Sequence, residues 1–504
     1  MTNSFATYSR ENGGRVLLLF LLFLLAIYQF VTAGYSAFVT ICMLPLLVLA
    51  GYVVFRWKMS AFWLLIVVNY FIQWKELPAN SIPTSLPNEM LQLLLLGIAI
   101  IDARQTPHFE RAVNPMLLAL TIWCGFITLE VLNDTCGLGI NVGAWYTGAR
   151  MLGYQLLYIF LVFSIYISSP EILRKYLIVW ACLCLFSALW TYKQQNIGLT
   201  QAEATFLAHS TTHVIQGGTL IRYFSTFSDA ANYGCNAAAS AVAFIVFGIT
   251  TKFKVERWFF LIVAVLVIKG MFASGTRTAI VCLMAGFAVY IVLSKSVKIA
   301  VPAAIVGFLF FSFLAFTNIA NGNQQIRRMR SAFKGGDASS NARNINQETM
   351  KKYMRNAPWG IGIGLGFESV PANNKYRKMA TIAADSEYVY IWLRTGVIGI
   401  STFIITMLMM LGGACYVVFF RLKNPSLRGI GGGLCGAFVA IQLGGYGNQI
   451  LLQFPNALTF YGGLTIVYLL PWIEPEWIKY ENKYLANQEE KKRLKLEKKL
   501  ASRV

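Results

Sequence analysis

Apolar runs close to the roughly 20 residues that cross a bilayer recur along most of this 504-residue chain, and they restrict its fold more than any other feature. Fourteen candidate spans lie near 15–32, 36–55, 60–74, 89–102, 114–132, 149–168, 175–193, 232–250, 258–274, 278–294, 299–317, 396–420, 428–447 and 456–473. The third and fourth are short enough to be tilted or partial. No series of short alternating strands is present, so the pattern is not that of a β-barrel. The expected fold class is all-α, a polytopic transmembrane helical bundle of about 14 spans. The first run is followed by many more and reads as a span, not a cleaved signal.

Charge then orients the loops. With the N-terminus in the cytoplasm, the short inside loops hold Arg56 and Lys58, Arg104 and Arg111, Arg174 and Lys175, Lys252 with Lys254 and Arg257, Lys295 with Lys298, and Arg421 with Lys423 and Arg428. The tail with KKRLKLEKKL also falls inside. This parity follows the positive-inside rule. The chain carries a net charge of +21, but its basic residues are scattered over many loops. That points to anionic membrane lipids as partners and away from nucleic acid. All nine Cys except Cys136 fall in or at the edge of apolar runs and read as small hydrophobes. No metal-ligand spacing, nucleophile elbow or nucleotide loop is found.

One loop breaks the charge bias. The segment 318–385 carries eleven Lys or Arg, yet parity puts it outside. Before its closing Asp385 it holds only Asp337, Glu348 and Glu368 as acids. A loop of about 60 residues no longer controls insertion by its charge, so it can be basic and exported. An anionic ligand, a lipid pyrophosphate, is the reason offered for that charge. The expected organisation is a membrane domain over 1–317, the basic loop 318–385, a second membrane portion 386–474 and a basic cytoplasmic tail 475–504. Within the loop, Ser340 or Asn341 is expected to cap a helix from about Ala342, stopped by Pro358 and Gly360. The glycines Gly360, Gly362, Gly364 and Gly366 either bring backbone N–H groups to a phosphate or form a flexible turn.

Several residues are candidates for chemistry. Arg222, alone in an exported loop, and Arg277, in a very short turn, are phosphate ligands or snorkelling interfacial arginines. Arg343, at the expected helix start, opposes the helix dipole and suits ligand contact better than stability. The cluster Arg327, Arg328 and Arg330 reads as a solvated or head-group patch. Asp385 suits a helix cap. Glu387 is placed to take a proton from a sugar hydroxyl. Asp229, His209 and His213 are further candidates.

At these residues, from about Arg222 to Gly399, the chain resembles the Wzy-type polysaccharide polymerase and O-antigen ligase superfamily of bacterial inner-membrane proteins. Arg222 leads into a small-residue span, as in the family's first arginine loop, with Gly234 twelve residues on where the motif has eleven. Ser274, Gly275, Thr276 and Arg277 are similar to the family's Ser-x-Ser-Arg turn, with Thr276 for the second Ser. Arg343, Pro358 and the glycines fit its large periplasmic loop. Asp385, Ser386 and Glu387 then precede Gly396 and Gly399, where ligases carry His-Asn. This departure tilts the reading towards a polymerase.

The resemblance implies a GT-C-like, metal-independent glycosyltransferase without a cofactor, its termini in the cytoplasm. Its donor and acceptor would be glycans on undecaprenyl pyrophosphate, with a chain-length regulator as a further partner. Arg222, Arg277 and Arg343, with Arg327, would bind the pyrophosphate. Glu387, then Asp385, would serve as base or acceptor-positioning group. The competing readings are an O-antigen ligase or protein O-oligosaccharyltransferase, and a transporter of lipid-linked sugars. A transporter would want charges in mid-span and an internal repeat; Lys269 is the clearest buried charge, and no repeat is seen.

Overall fold

The computed structural model describes residues 14, 21, 24, 28, 51, 52, 56, 58–77, 85–102, 109–210, 213–215, 220–319, 322–331, 338–365, 369–382, 384 and 386–501. The side chains of 299, 300, 303, 306, 338–343 and 495–501 fall outside this description. The first two candidate spans lie almost wholly outside it. Two compact units are present, Met1–Leu64 and Leu65–Val504. In the first, the described residues are helical.

The helices in chain order are α1 (Lys58–Phe71), α2 (Ser85–Ile101), α3 (Pro115–Leu129), α4 (Val142–Ala149), α5 (Gln155–Tyr166), α6 (Pro170–Asn196), α7 (Gln201–Ala208), α8 (Ala230–Thr250), α9 (Lys254–Ala273), α10 (Thr278–Leu293), α11 (Val297–Phe316), α12 (Gln324–Arg330), α13 (Ala338–Met354), α14 (Arg377–Thr381), α15 (Glu387–Tyr416), α16 (Pro425–Gly447) and α17 (Gly462–Ala501). A two-stranded antiparallel ribbon, β1 (Val214–Ile215) and β2 (Leu220–Ile221), lies between α7 and α8. The protein is thus all-α and polytopic. Among the described residues, seven helical segments are long and apolar enough to cross a membrane, and shorter apolar helices accompany them. Each candidate span from the third to the fourteenth coincides with a helix.

Local chemistry sets several helix starts. Asn114, Ser169 and Asn424 each precede a proline at the first helical position, and their side chains accept backbone N–H groups of the first turn. Two helices extend beyond their candidate spans. Helix α15 begins at Glu387, ahead of the span at 396–420, with Glu387 in its first turn and Ser386 rather than Asp385 at the N-cap position. Helix α17 runs past 474 to Ala501, passing Pro471 and Pro475, because the tail's charged residues are strong helix formers.

The centre of the bundle is α8 with α16, both rich in Ala and Gly. Small residues let backbones approach closely, which replaces the hydrophobic drive that lipid cannot supply. A Cβ added at Gly436 of α16 would lie 2.6 Å from the carbonyl oxygen of Gly286 in α10. At one end of the bundle the basic loops assigned inside meet. Arg174 pairs with Glu256, and Lys252 with Glu481 at 2.8 Å. Glu474 accepts the Lys423 N–H at 2.8 Å.

At the other end, the described part of the basic loop folds as a cap. Met350, Met354, Ala357, Ile361, Val370, Tyr376 and Met379 pack with Leu393 and with Cys136 from the α3–α4 loop. Cys136 is therefore buried, as are Cys124, Cys184, Cys235, Cys282 and Cys435. Asn374 Nδ2 donates to the Cys136 carbonyl at 2.7 Å.

Gly436→Ala should cost roughly 1–3 kcal/mol, because its methyl must displace a backbone oxygen. Gly412→Ala, whose methyl meets nothing within 4 Å, should be neutral or stabilising. Thermal unfolding of both purified variants checks this. Equal melting temperatures would contradict the packing described for α10 and α16.

Candidate functional site

The site starts from the turn Ser274–Arg277, which joins α9 to α10. Gly275 takes φ +59°, a left-handed conformation that closes the turn. Ser274 and Thr276 are buried, and the Thr276 hydroxyl donates to the Ala230 carbonyl at 2.7 Å. The turn lies against α8 at Gly234, where an added Cβ would sit 2.3 Å from Ser274 Oγ. That contact gives the glycine after Arg222 its physical reason.

Three arginines converge here. Arg222 Nη2 donates to Thr276 Oγ1 at 3.1 Å, and its Nε to the Ser274 carbonyl at 3.4 Å. Arg328 Nε donates to the Gly275 carbonyl at 2.7 Å. Arg277 occupies the N-cap position of α10, a helix start without a side-chain cap, so the positive end of the helix dipole points the same way. Burial pulls Arg222 below its ordinary value, with Asp229 opposing the shift and Arg277 adding to it. A guanidinium stays charged even so, and a poorly hydrated cation gains by meeting an anion.

The patch Arg327, Arg328 and Arg330 divides by helix geometry. Arg327 is exposed. Arg328 reaches the turn. Arg330 is buried against the end of α11, within hydrogen-bonding distance of the Phe313 and Ile319 carbonyls. The cluster is therefore not a single solvated patch. Arg343 lies in the second turn of α13, because that helix begins at Ala338, so the dipole argument for it lapses. Its side chain lies outside the described residues, as does Asp385. The residue before Glu387, Ser386, donates its hydroxyl to the Gly445 carbonyl at 3.1 Å.

Residues of α4, the cap, α15 and the segment 449–453 line a cavity of about 390 Å³, within the range of about 300–1,000 Å³ typical of small-ligand sites. Thr147, Glu387, Tyr390, Arg394, Gln449 and Gln453 supply its polar lining. Glu387 is buried, and backbone N–H groups of the segment 450–452 converge on its carboxylate, that of Leu451 at 3.1 Å. Arg394 follows Glu387 by seven residues, two turns on the same face. Its Nε and Nη1 are buried without a hydrogen-bond partner among the described residues. Sequence reasoning missed Arg394. The signal was an arginine in the apolar first turns of α15, in phase with Glu387 and Tyr390.

The segment 448–456 connects cavity and turn. Asn448 Nδ2 donates to Thr278 Oγ1 at 3.4 Å, beside Arg277. The Ser228 hydroxyl lies 2.7 Å from Gln453 Oε1 and 2.8 Å from Asp229 Oδ2. Buried amides hold this segment to α8. Asn456 Nδ2 donates to Asn232 Oδ1 at 2.6 Å, and Asn236 Nδ2 to Asn456 Oδ1 at 2.8 Å.

In the glycine-rich stretch of the cap, the amides of Gly360, Ile361 and Gly362 are engaged by backbone carbonyls. Helix α15 breaks at Gly396, which takes φ +67° and lies where a Cβ would be 1.9 Å from the Pro358 carbonyl oxygen. The break leaves the Leu393 and Arg394 carbonyls open, and Ile361 and Gly362 fill them through N–H bonds of 3.0 Å each. Gly364 closes against α4, where an added Cβ would lie 1.7 Å from the Ala144 oxygen. Gly366 lies outside the described residues.

Asp229 and His213 serve structure at the start of α8. Asp229 accepts the Ala231 and Asn232 N–H groups. His213 Nε2 accepts the Ala230 N–H at 3.2 Å, and its other nitrogen pairs with Ser210. Its lone pair is thus already engaged. Burial pushes its pKa down to about 4, with Arg222 adding to the shift and Asp229 opposing it.

Fold and site together define an all-α membrane protein with arginines and a buried carboxylate gathered at the capped end of its bundle. Residues 262–404 match the family model Wzy_C, described as O-antigen ligase. Over that stretch, which includes the Ser274–Arg277 turn, Glu387 and Arg394, the chain is similar to the O-antigen ligase family. Comparison with curated proteins gives no match.

A histidine that stays neutral in the fold binds fewer protons than its unfolded form, so stability rises with pH across that window. Lowering the pH from about 6.5 to about 4 should therefore loosen the β1–β2 ribbon next to His213, by up to about 1.4 kcal/mol per unit. Hydrogen exchange of its amides at pH 7 and pH 5 measures this. His213→Gln should flatten the dependence; an unchanged dependence would contradict it.

Proposed function

We propose that this protein is a glycosyltransferase that polymerises undecaprenyl-pyrophosphate-linked oligosaccharide units at the outer face of the inner membrane. The observation that carries the reading is the convergence of Arg222, Arg277 and Arg328 on one turn. That turn is joined through Gln453 and Asn448 to the cavity of Glu387 and Arg394. In this reading the capped end is periplasmic, both termini are cytoplasmic, and the segment 318–385 is the exported lid between two membrane portions.

The chemistry follows from where charge appears. An acceptor hydroxyl attacks the anomeric carbon of the donor sugar, the glycosidic bond to phosphate breaks, and the pyrophosphate leaves with the bonding pair. Fixed guanidinium groups beside the leaving oxygen stabilise it as charge develops, which is usually the largest catalytic term. Arginine binds phosphate bidentately, so three around one turn suit a diphosphate. Glu387, held by backbone amides at the cavity wall, takes or orients the acceptor hydroxyl proton. Arg394 gives the cavity a cation for sugar or phosphate oxygens. Arg343 stays a proposed pyrophosphate ligand and Asp385 a secondary candidate beside Glu387, while the exposed position of Arg327 favours Arg328 in its place.

The second reading is an O-antigen ligase that moves the glycan to another acceptor, and the description of the matching family favours it. The Ser386–Glu387 pair, in place of the ligase His-Asn, favours the polymerase. A deletion strain separates the two. Single repeats on the final carrier support polymerisation, and long chains stranded on the lipid carrier support ligation.

With purified protein and a lipid-linked repeat unit, Arg222→Ala and Glu387→Gln should each lower glycan transfer by about 10²-fold or more at normal protein level. Gel ladders and released pyrophosphate report the rate. Wild-type rates in both variants would remove these residues from the site.

A further inference from the structure

Along α6 and α9, ending at Ala273 next to the arginine turn, lies a groove of about 210 Å³, with Leu189 and Tyr192 exposed on its wall. Its walls are Leu189 and Tyr192 from α6 and Leu266 and Lys269 from α9, and the small side chains of Ala188 and Ala273 give it depth. Its upper rim is part of the site already described. The Ala273 carbonyl accepts the Tyr223 N–H at 3.4 Å, and the next carbonyl, that of Ser274, holds Arg222. Lys269 sits five residues before Ser274, about 7.5 Å of helix rise. It is exposed, not buried as its place within an apolar run suggests, with its amine 4.9 Å from the centre of the Tyr192 ring.

A lysine on the lipid-facing side of an apolar helix is expensive unless an anion meets it. An apolar slot with one cation along its wall and three arginines above its mouth matches one shape of ligand: a hydrocarbon chain that ends in phosphate. We propose that the α6–α9 groove seats the first part of the hydrocarbon chain of the phosphate-linked lipid donor, with Lys269 meeting the phosphate nearest the chain. This rests on the reading that the arginine turn holds that lipid's phosphates. It adds a lateral entry path and a lipid-recognition element outside the reacting centre.

The test uses the full chain in nanodiscs with a polyprenyl diphosphate bearing a diazirine on its chain near the phosphates. Photolysis and peptide mapping should place label on residues 188–195 and 266–273. Unlabelled polyprenyl diphosphate should compete it away, and phosphatidylglycerol should not. Leu266→Trp should cut labelling several-fold. Lys269→Leu should raise the KM for donor several-fold with little change in kcat. Label spread over the other lipid-facing helices, or equal displacement by phosphatidylglycerol, would overturn the proposal. Glycan transfer is measured in the same nanodiscs. Transfer without groove labelling sinks the groove alone, whereas competed groove labelling without transfer supports the groove and sinks the enzymatic reading.

Discussion

Polar backbone within a bilayer has to find its partners inside the protein, and the capped end of this bundle is shaped by that demand. Helix α15 breaks at Gly396 and frees two carbonyls. The cap answers with the amides of Ile361 and Gly362. The turn at Ser274–Arg277 and the segment 448–456 are equally irregular, and buried hydroxyls and amides bond them to α8. The non-helical backbone of the segment 449–453 lines the cavity, and the helices beneath it pack through small residues.

That arrangement explains how cations can be held at the membrane edge. Arg222 and Arg328 are anchored by carbonyl and hydroxyl oxygens of a rigid turn, so their positions are fixed before any ligand arrives. Asp229 offsets part of the charge but is engaged in starting α8. The remaining field is positive, and burial strengthens it because the local dielectric is low. A pre-arranged cationic pocket needs little reorganisation when charge develops on a leaving group.

Much of the architecture was legible in the sequence, because apolar runs of membrane length and the alternation of basic loops are one-dimensional signals. The SGTR turn and its glycine partner were legible by their order along the chain. What was not legible depended on three-dimensional pairing. Nothing in RRMR says that Arg328, not Arg327, meets the turn, since adjacent helical residues point about 100° apart. Asn232, Asn236 and Asn456 carry no sequence signal, and only the fold brings them into one staple. The alternating glycines suggested phosphate contact or mobility, and only the break at Gly396 shows which backbone they meet. Arg394 was hidden because an arginine within an apolar run resembles an interfacial anchor.

The account depends on a lipid diphosphate being gripped by the SGTR turn. An electron cryomicroscopy structure of the full chain with bound polyprenyl diphosphate tests this most directly. The account predicts both phosphates at about 3 Å from guanidinium nitrogens of Arg222, Arg277 and Arg328. Phosphate density at the opposite end of the bundle, or against the basic tail with the turn unaltered, would contradict it.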